Sequence, residues 1–226
     1  LNRYIITSKS TRTTEKMRIV AEGQQLVRVD WDSRNLTNQS IKQILMNVSV
    51  NITEVDGIII SDYNKGVCTE VVVREVITLA RKLKIPTYVD PKGKKWKKYY
   101  GASIITPNLK EAEEAVGREL VTDKNIENAG KEICEDLSLD GCLITRGPNG
   151  MSYIGQDISF HISSEAKEIY DVSGAGDTVI ASFAAGICAG FNSETVTRFA
   201  NKAAGIVVGH IGTSAITISE LKEDSN

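Results

Sequence analysis

The sequence of 226 residues has few of the side chains that bind transition metals. It contains only two histidines, His161 and His210, and four scattered cysteines without a C-x-x-C pair. Zinc-finger spacing and an H-E-x-x-H site are therefore excluded. Cys134, Cys142 and Cys188 lie in apolar or periodic runs. This pattern predicts reduced core thiols in a cytosolic setting.

Long apolar runs and an excess of one charge are also missing. No segment reaches the roughly 18 apolar residues of a membrane span. Lys and Arg number 27 against 29 Asp and Glu, for a formal net charge of −2. We therefore expect neither a nucleic acid nor a membrane as partner. Any anion site must be local.

The sequence begins Leu1-Asn2-Arg3, without an initiator Met or a signal-peptide pattern. We therefore expect the chain to be a fragment of a longer protein. Residues 1–32 predict a β segment, with strands at 4–6, 16–21 and 24–31 and a tight turn at Glu22-Gly23.

Residues 33–226 predict an α/β core. Continuous apolar strands separated by amphipathic helices indicate a parallel sheet covered on both faces. The strands are 57–61, 86–90, 103–106 and 141–145. The helices lie around 72–83, 126–137, 174–190 and 193–209. Residues 150–170 predict an antiparallel edge.

Polar side chains follow these strands where they end, and ligands of parallel sheets bind at that edge. Asp62 is a candidate substrate contact, and Lys65 and Lys92 are candidate phosphate ligands. A lysine at the end of a strand is, however, more often a solvated surface side chain. We interpret the basic cluster around Trp96 as a solvated helical face, formed by Lys94, Lys95, Lys97 and Lys98.

The segment 171–178, DVSGAGDT, is the strongest chemical signal. Gly174, Ala175 and Gly176 allow backbone amides at a helix start to approach an anion. Asp177 could take a proton from an attacking hydroxyl, as a phosphoryl transfer requires. It could instead only place charge at a helix N-terminus. The segment is neither a Walker A loop nor G-x-G-x-x-G.

Residues 171–177 resemble the D-T-x-G-A-G-D signature of the ribokinase-like (PfkB) carbohydrate kinases. The resemblance implies Asp177 as catalytic base and the Gly174–Gly176 amides as anion hole. It also implies a monovalent-cation site, such as one for K⁺, beside Asp171 and Ser173, although Thr is common at the latter position. The implied fold is α/β and ribokinase-like: a mostly parallel sheet with helices on both faces, plus a small β lid.

Further motifs of that family follow in order. Asn108 and Glu111 match N-x-x-E, which implies that they arrange Mg²⁺, through water, and the ATP phosphates. The same pair is close to a capping box. The T-x-G-x-x-G turn that borders ATP is matched by Thr145, Gly147 and Gly150. Asn201 falls where the last helix of the family passes the adenine. A plain turn and core packing are the alternatives for these last two segments.

The sequence also resembles a narrower group, the heptose-7-phosphate kinases that form the kinase domain of bifunctional ADP-heptose synthases. The matching segments are 13–18, 24–30, 61–66, 90–93 and 106–109. This resemblance implies ATP-dependent phosphorylation of D-glycero-β-D-manno-heptose 7-phosphate at its anomeric hydroxyl in the bacterial cytoplasm. The product would be the 1,7-bisphosphate, used for lipopolysaccharide core or other heptosides. Another sugar, such as fructose or ribose, and a silent nucleotide-binding fragment remain alternatives.

Two consequences concern residues 1–32, the predicted lid. Arg18 and Arg28 could meet the sugar 7-phosphate or could simply be surface residues. We expect a homodimer through this lid, since an unpaired sheet edge favours a partner strand.

The glycine-rich sugar motif of the family is missing from the sequence, and so is the H-x-G-H motif of an adenylyltransferase domain. We therefore expect that second domain to lie outside the chain, and the chain alone to be inactive.

Overall fold

The computed structural model describes residues 4–8, 11–21, 24–32, 36–166, 169–210 and 212–223. Two strands, β1 (Glu15–Ala21) and β2 (Gln24–Trp31), form a separate antiparallel ribbon. This ribbon is the predicted lid. Tyr4 to Ile6, predicted as a strand, are irregular. The predicted turn at Glu22-Gly23 lies outside the described residues.

The larger sheet has six strands in the order β3-β4-β5-β6-β7-β8. The first four are parallel, and β7 and β8 add antiparallel strands at one edge. The predicted α/β architecture is therefore confirmed. The strands are β3 (Ile58–Ser61), β4 (Thr87–Asp90), β5 (Ile104–Ile105), β6 (Gly141–Thr145), β7 (Met151–Gly155) and β8 (Ser159–Ile162). The antiparallel edge ends at Ile162, earlier than predicted.

Seven helices are described. They are α1 (Asn38–Asn51), α2 (Glu70–Lys82), α3 (Leu109–Val116), α4 (Asp123–Leu137), α5 (Ala175–Cys188), α6 (Ser193–Val207) and α7 (Ile218–Glu223). Capping explains several starts: the side chain of Thr69, for example, accepts a hydrogen bond from the amide of Val72 at the start of α2. In the described residues, no helix has both the length and the apolar character to cross a membrane.

Alternate side chains of the central strands enter two different cores, as a strand period of two requires. Val89 and Ile105 pack with α2, α3 and α4 on one face of the sheet. Tyr88, Ile104 and Leu143 pack with α5 and α6 on the other face. In the described part of the chain, helices thus pack on both faces of the sheet.

The basic cluster around Trp96 differs from its prediction. The segment Trp96–Tyr99 is a short 3-10 helix, and the Trp96 indole is buried and donates to the carbonyl of Gly93. Lys98 is largely buried rather than solvated, because it pairs with a buried carboxylate. Cys188 is also corrected: it is exposed, whereas Cys142 is buried as expected.

The two faces of the β1–β2 ribbon differ in chemistry. Opposite each other on one face are Arg18 and Arg28, with Lys16 and Asp30 beside them. The other face pairs Met17 with Val29 and Ile19 with Val27, and these four side chains are exposed. The ribbon therefore has one charged and one apolar face.

Candidate active site

The start of α5 forms the centre of the site. Gly174 is its N-cap and has φ of 85°, a left-handed conformation that favours glycine. The amides that follow lie in the first helical turn, where a helix has no internal acceptors for them. Asp177 lies in that same turn and is exposed. Amide donors and a carboxylate are thus presented together at the open edge of the sheet.

Asp171 and Ser173 precede this helix and bond to each other. The amide of Ser173 donates to Asp171 Oδ1 at 2.8 Å. Hydrogen bonds from the Ser173 side chain and amide lower the pKa of the Asp171 carboxyl below its usual range, and the charge of Arg18 acts in the same direction. Asp171 therefore remains an anion beside the start of α5.

Tyr63 contacts Asp177 directly, a contact that sequence reasoning missed. Its hydroxyl donates to the Asp177 carboxylate, 3.0 Å from Oδ1 and 2.8 Å from Oδ2. Burial, and then the hydrogen bond to Asp177, raise the pKa of the Tyr63 phenol. The Lys16 ammonium of β1 lies 5.5 Å from the centroid of the Tyr63 ring. The charged face of the lid therefore reaches the site through Tyr63.

Asp90, at the end of β4, is surrounded by negative charge. Burial, and next the charges of Glu111 and Asp177, raise the pKa of Asp90 to about 7, against the opposing charge of Lys92. Lys92 Nζ pairs with Glu111 Oε1 at 2.6 Å. The structure therefore brings Asp90, Lys92, Glu111 and Asp177 into one electrostatic cluster. The cluster contains three carboxyl groups and one ammonium group.

Asn108 and Glu111 form the capping box of α3. The Glu111 amide donates to Asn108 Oδ1 at 2.9 Å, and the Asn108 amide donates to Glu111 Oε2 at 3.0 Å. Asn108 also forms a parallel bridge with Thr145, at the end of β6. Two motifs that are 34 residues or more apart in the sequence are thereby neighbours at the sheet edge.

The turn after β6 needs both of its glycines. Gly147 and Gly150 have φ of 57° and 82°. A Cβ added at Gly150 would also collide with the carbonyl oxygen of Ile162. The conformation of a tight turn therefore explains both glycines. The turn directly follows Thr145, and the bridge between Thr145 and Asn108 places it beside the start of α3.

Asp62, a candidate substrate contact, is buried and fully engaged within the protein. Its carboxylate pairs with Lys98 and accepts from the Tyr99 hydroxyl at 2.7 Å and from the Asn64 amide at 2.6 Å. Burial is also the main cause of the raised pKa of Tyr99. Asp62 therefore anchors the loop that carries Tyr63, rather than offering a carboxylate to a ligand.

The other candidates are placed as follows. Lys65 pairs with Asp32 of the lid segment at 2.6 Å. Arg28 pairs with Asp30 at 3.2 Å, and the Arg18 side chain is exposed. Asn201 is only 4% exposed, and its amide donates to the Ser163 carbonyl at 2.8 Å. Asn201 therefore packs in the core and does not join the polar cluster.

The residues that sequence reasoning missed carried weak signals. Tyr63 follows Asp62 directly in a strand-end segment, and Asp90 itself ends β4. Position alone thus pointed to both. Lys98 had no such signal, because a lysine in a cluster with three others is usually a surface residue.

Solved structures of two sugar kinases share this fold. Phosphofructokinase-2 from Escherichia coli in complex with potassium superposes with a TM-score of 0.79 at 21% identity, over 94% of this chain and 69% of that chain. Arabidopsis thaliana ribokinase, complexed with ribose and ATP, gives 0.67 at 20% identity, over 85% and 61%. These similarities define a ribokinase-like fold.

The pfkB family carbohydrate kinase model matches residues 2–220, and the chain belongs to that family. It is 40% identical to the bifunctional protein HldE of Wolinella succinogenes over 97% of this chain and 46% of that protein. It is 42% identical to HldE of Trichlorobacter lovleyi over 93% and 43%. The chain thus spans about half the length of the curated relatives it matches.

Proposed function

We propose that the chain is the phosphoryl-transfer part of an ATP-dependent sugar kinase that acts on D-glycero-β-D-manno-heptose 7-phosphate. The observation that carries the proposal is the start of α5, where Asp177 and the Gly174–Gly176 backbone share one turn at the open end of the sheet. The similarity to the HldE proteins and the heptose-kinase motifs support the choice of sugar. The proposed setting is the bacterial cytoplasm.

Asp177 acts as the general base in this proposal. The anomeric hydroxyl oxygen forms a bond to the terminal phosphorus of ATP, the bond from that phosphorus to ADP breaks, and the proton passes to the Asp177 carboxylate. The amides of Gly174, Ala175 and Gly176 stabilise the charge of the transferred group, because they are fixed in direction before the reaction.

Asn108 and Glu111 would hold Mg²⁺ through water. Burial, and next the charges of Glu111 and Asp177, raise the pKa of Asp90, so a cation bound near Glu111 would be favoured by the carboxylates around it. Among the described residues, no group of three or more His, Cys, Asp or Glu side chains is placed to hold a metal ion. Mg²⁺ would supply positive charge to the ATP phosphates.

The nucleotide would lie along Thr145, Gly147 and Gly150, which adjoin Asn108. Asn201, buried under this side, would support the pocket wall by holding the Ser163 carbonyl. Asp171 and Ser173 would border a K⁺ site, since Asp171 keeps its negative charge at the start of α5.

The charged face of the lid would bind the 7-phosphate of the sugar. Arg18 and Arg28 lie directly opposite each other, and Arg28 also pairs with Asp30 at 3.2 Å. A phosphate bound between the two arginines would relieve the repulsion of their like charges. Lys16 is on the same face and lies over Tyr63, so this face is directed toward Asp177. Lys65 and Lys92 are already paired with Asp32 and Glu111 and would contribute less.

The apolar face of the lid would form a homodimer. Met17, Ile19, Val27 and Val29 are exposed on this face, and a second lid would cover them. The adenylyltransferase activity implied for the bifunctional group would belong to a different part of the protein.

A substrate panel on the complete gene product tests the proposed function. Consumption of ATP is measured with heptose 7-phosphate, fructose 6-phosphate, fructose, ribose and no sugar. We expect turnover with heptose 7-phosphate to exceed that with every other compound. If turnover is fastest with a fructose compound or ribose, the protein is a sugar kinase but heptose 7-phosphate is not its substrate. If no sugar supports turnover, the proposed kinase activity is wrong.

A further inference from the structure

The Tyr63 hydroxyl is hydrogen-bonded to the Asp177 carboxylate, which is the base that the proposed reaction needs. Its hydroxyl lies 2.8 and 3.0 Å from the two Asp177 carboxylate oxygens. A sugar hydroxyl must reach one of those oxygens at a similar distance in order to lose its proton. The phenol therefore stands where an attacking hydroxyl would bind.

The position of Tyr63 allows its side chain to move while its backbone is held. The preceding residue, Asp62, is fixed in the core by Lys98 and Tyr99. The following residue, Asn64, has a positive φ of 53°, and its backbone amide donates a hydrogen bond to Asp62 Oδ1 at 2.6 Å. The Tyr63 side chain is nevertheless 52% exposed. A rotation about its side-chain bonds would release Asp177 without disturbing the fold.

The lid contacts the same side chain. Lys16 lies over the Tyr63 ring at cation–π distance, 5.5 Å from the centroid. Any movement of β1 that accompanies sugar entry would therefore change the support of the ring. Tyr63 thus links the lid to Asp177.

We propose, on the basis of the kinase function proposed above, that Tyr63 is a gate over Asp177. Without sugar, the Tyr63 hydroxyl engages the carboxylate and competes with water for its oxygens. The sugar hydroxyl replaces the phenol when it binds. The gate limits the wasteful reaction in which a water oxygen bonds to the terminal phosphorus of ATP, the bond to ADP breaks, and the proton passes to Asp177.

Tyr63→Phe tests the gate, because it removes the hydroxyl and keeps the ring under Lys16. Tyr100→Phe is the matched control, since Tyr100 is an exposed tyrosine outside this contact. ATP hydrolysis without sugar should rise about tenfold in Tyr63→Phe, the factor that corresponds to one hydrogen bond to a charged group. Calorimetric binding of heptose 7-phosphate should tighten by a similar factor. Tyr100→Phe should match the wild type in both measurements.

Weaker sugar binding with unchanged hydrolysis in Tyr63→Phe would overturn the gate and make Tyr63 a substrate-positioning residue. Wild-type protein without any sugar-dependent turnover would instead reject the kinase function and the gate with it. A spectrophotometric titration of the phenols checks the contact without catalysis. Subtracting the titration curve of Tyr63→Phe from that of the wild type isolates the Tyr63 phenol, whose pKa should be raised. The substitution Asp177→Asn should lower this pKa. A Tyr63 phenol that titrates at the ordinary value would contradict the contact and the gate.

Discussion

The Lys92 ammonium lies 2.6 Å from Glu111 Oε1, while the other oxygen of the same carboxylate accepts the Asn108 amide at 3.0 Å. One side chain thus completes a capping box and also faces the charged cluster at the sheet edge. The sequence left capping and phosphate chemistry as alternatives for this motif. The geometry makes them compatible, because the two roles use different oxygens.

Glu111→Gln separates the two roles. Glutamine can still cap α3, so the melting temperature should change little. The loss of charge should raise the Mg²⁺ concentration needed for half-maximal turnover by about tenfold, by analogy with the loss of a charged hydrogen-bonding group. A Mg²⁺ titration of sugar-dependent turnover gives the result.

Asn192→Ala is the control for capping alone. Asn192 caps α6 by accepting the Thr195 amide at 2.9 Å. Its loss should cost about 1 kcal/mol of stability and leave the Mg²⁺ requirement unchanged. If Glu111→Gln behaves like Asn192→Ala, Glu111 serves only the helix.

Asp90 predicts a pH-dependent stability. Its folded-state pKa of about 7 is above the usual value of an aspartate, so the folded protein holds this proton more tightly than the unfolded chain does. The stabilisation from the protonated carboxyl is therefore present below about pH 4 and is lost as the pH rises toward 7. The free energy of unfolding of Asp90→Asn, minus that of the wild type, should increase as the pH rises from about 4 to about 7. Above about pH 7 this difference should stay constant. Thermal melts in EDTA at pH 5 and pH 8 test this, and an equal difference at both values would contradict it.

The buried pair of Asp62 and Lys98 predicts a large loss of stability when one partner is removed. Lys98→Met leaves the buried carboxylate without its counter-charge and should cost about 3 kcal/mol. Lys97→Met, at an exposed neighbour, should change the free energy of unfolding by no more than about 0.5 kcal/mol. Adding Asp62→Asn to Lys98→Met should recover part of the loss. Urea unfolding measures all three, and a Lys98→Met protein as stable as Lys97→Met would show that the pair does not form.

The apolar lid face predicts a change of oligomeric state. Ile19→Asp places a charge among exposed apolar side chains and should convert a dimer of the complete gene product into a monomer. Val71→Asp, at an exposed position on α2, should leave the dimer intact. Multi-angle light scattering distinguishes the two masses. A monomeric wild type would reject the dimer.

Much of the fold follows from the sequence because its signals are local. The apolar run at 57–61 and the periodicity of 126–137 predict β3 and α4 closely. Tyr4 to Ile6 has the same apolar character without a strand, since a strand also needs a partner to pair with. Composition cannot supply that information.

The candidate site could be predicted only in part. Its glycines and Asp177 lie in one continuous segment, so the motif revealed them. Tyr63 reaches Asp177 across 114 residues, and Lys98 reaches Asp62 across 36. Such contacts depend on tertiary packing, for which a single sequence contains no periodic signal.

Asp177→Asn in the complete gene product tests the proposed chemistry most directly. Phosphorus NMR and mass spectrometry follow the formation of heptose 1,7-bisphosphate, and calorimetry follows ATP binding. We expect phosphorylation to fall by about 10²–10⁴-fold while ATP still binds, because the amide keeps the shape of the side chain and loses the base. Asp136→Asn, at an exposed position on α4, should retain wild-type turnover. Near-normal formation of the bisphosphate by Asp177→Asn would contradict the assignment of Asp177 as the base.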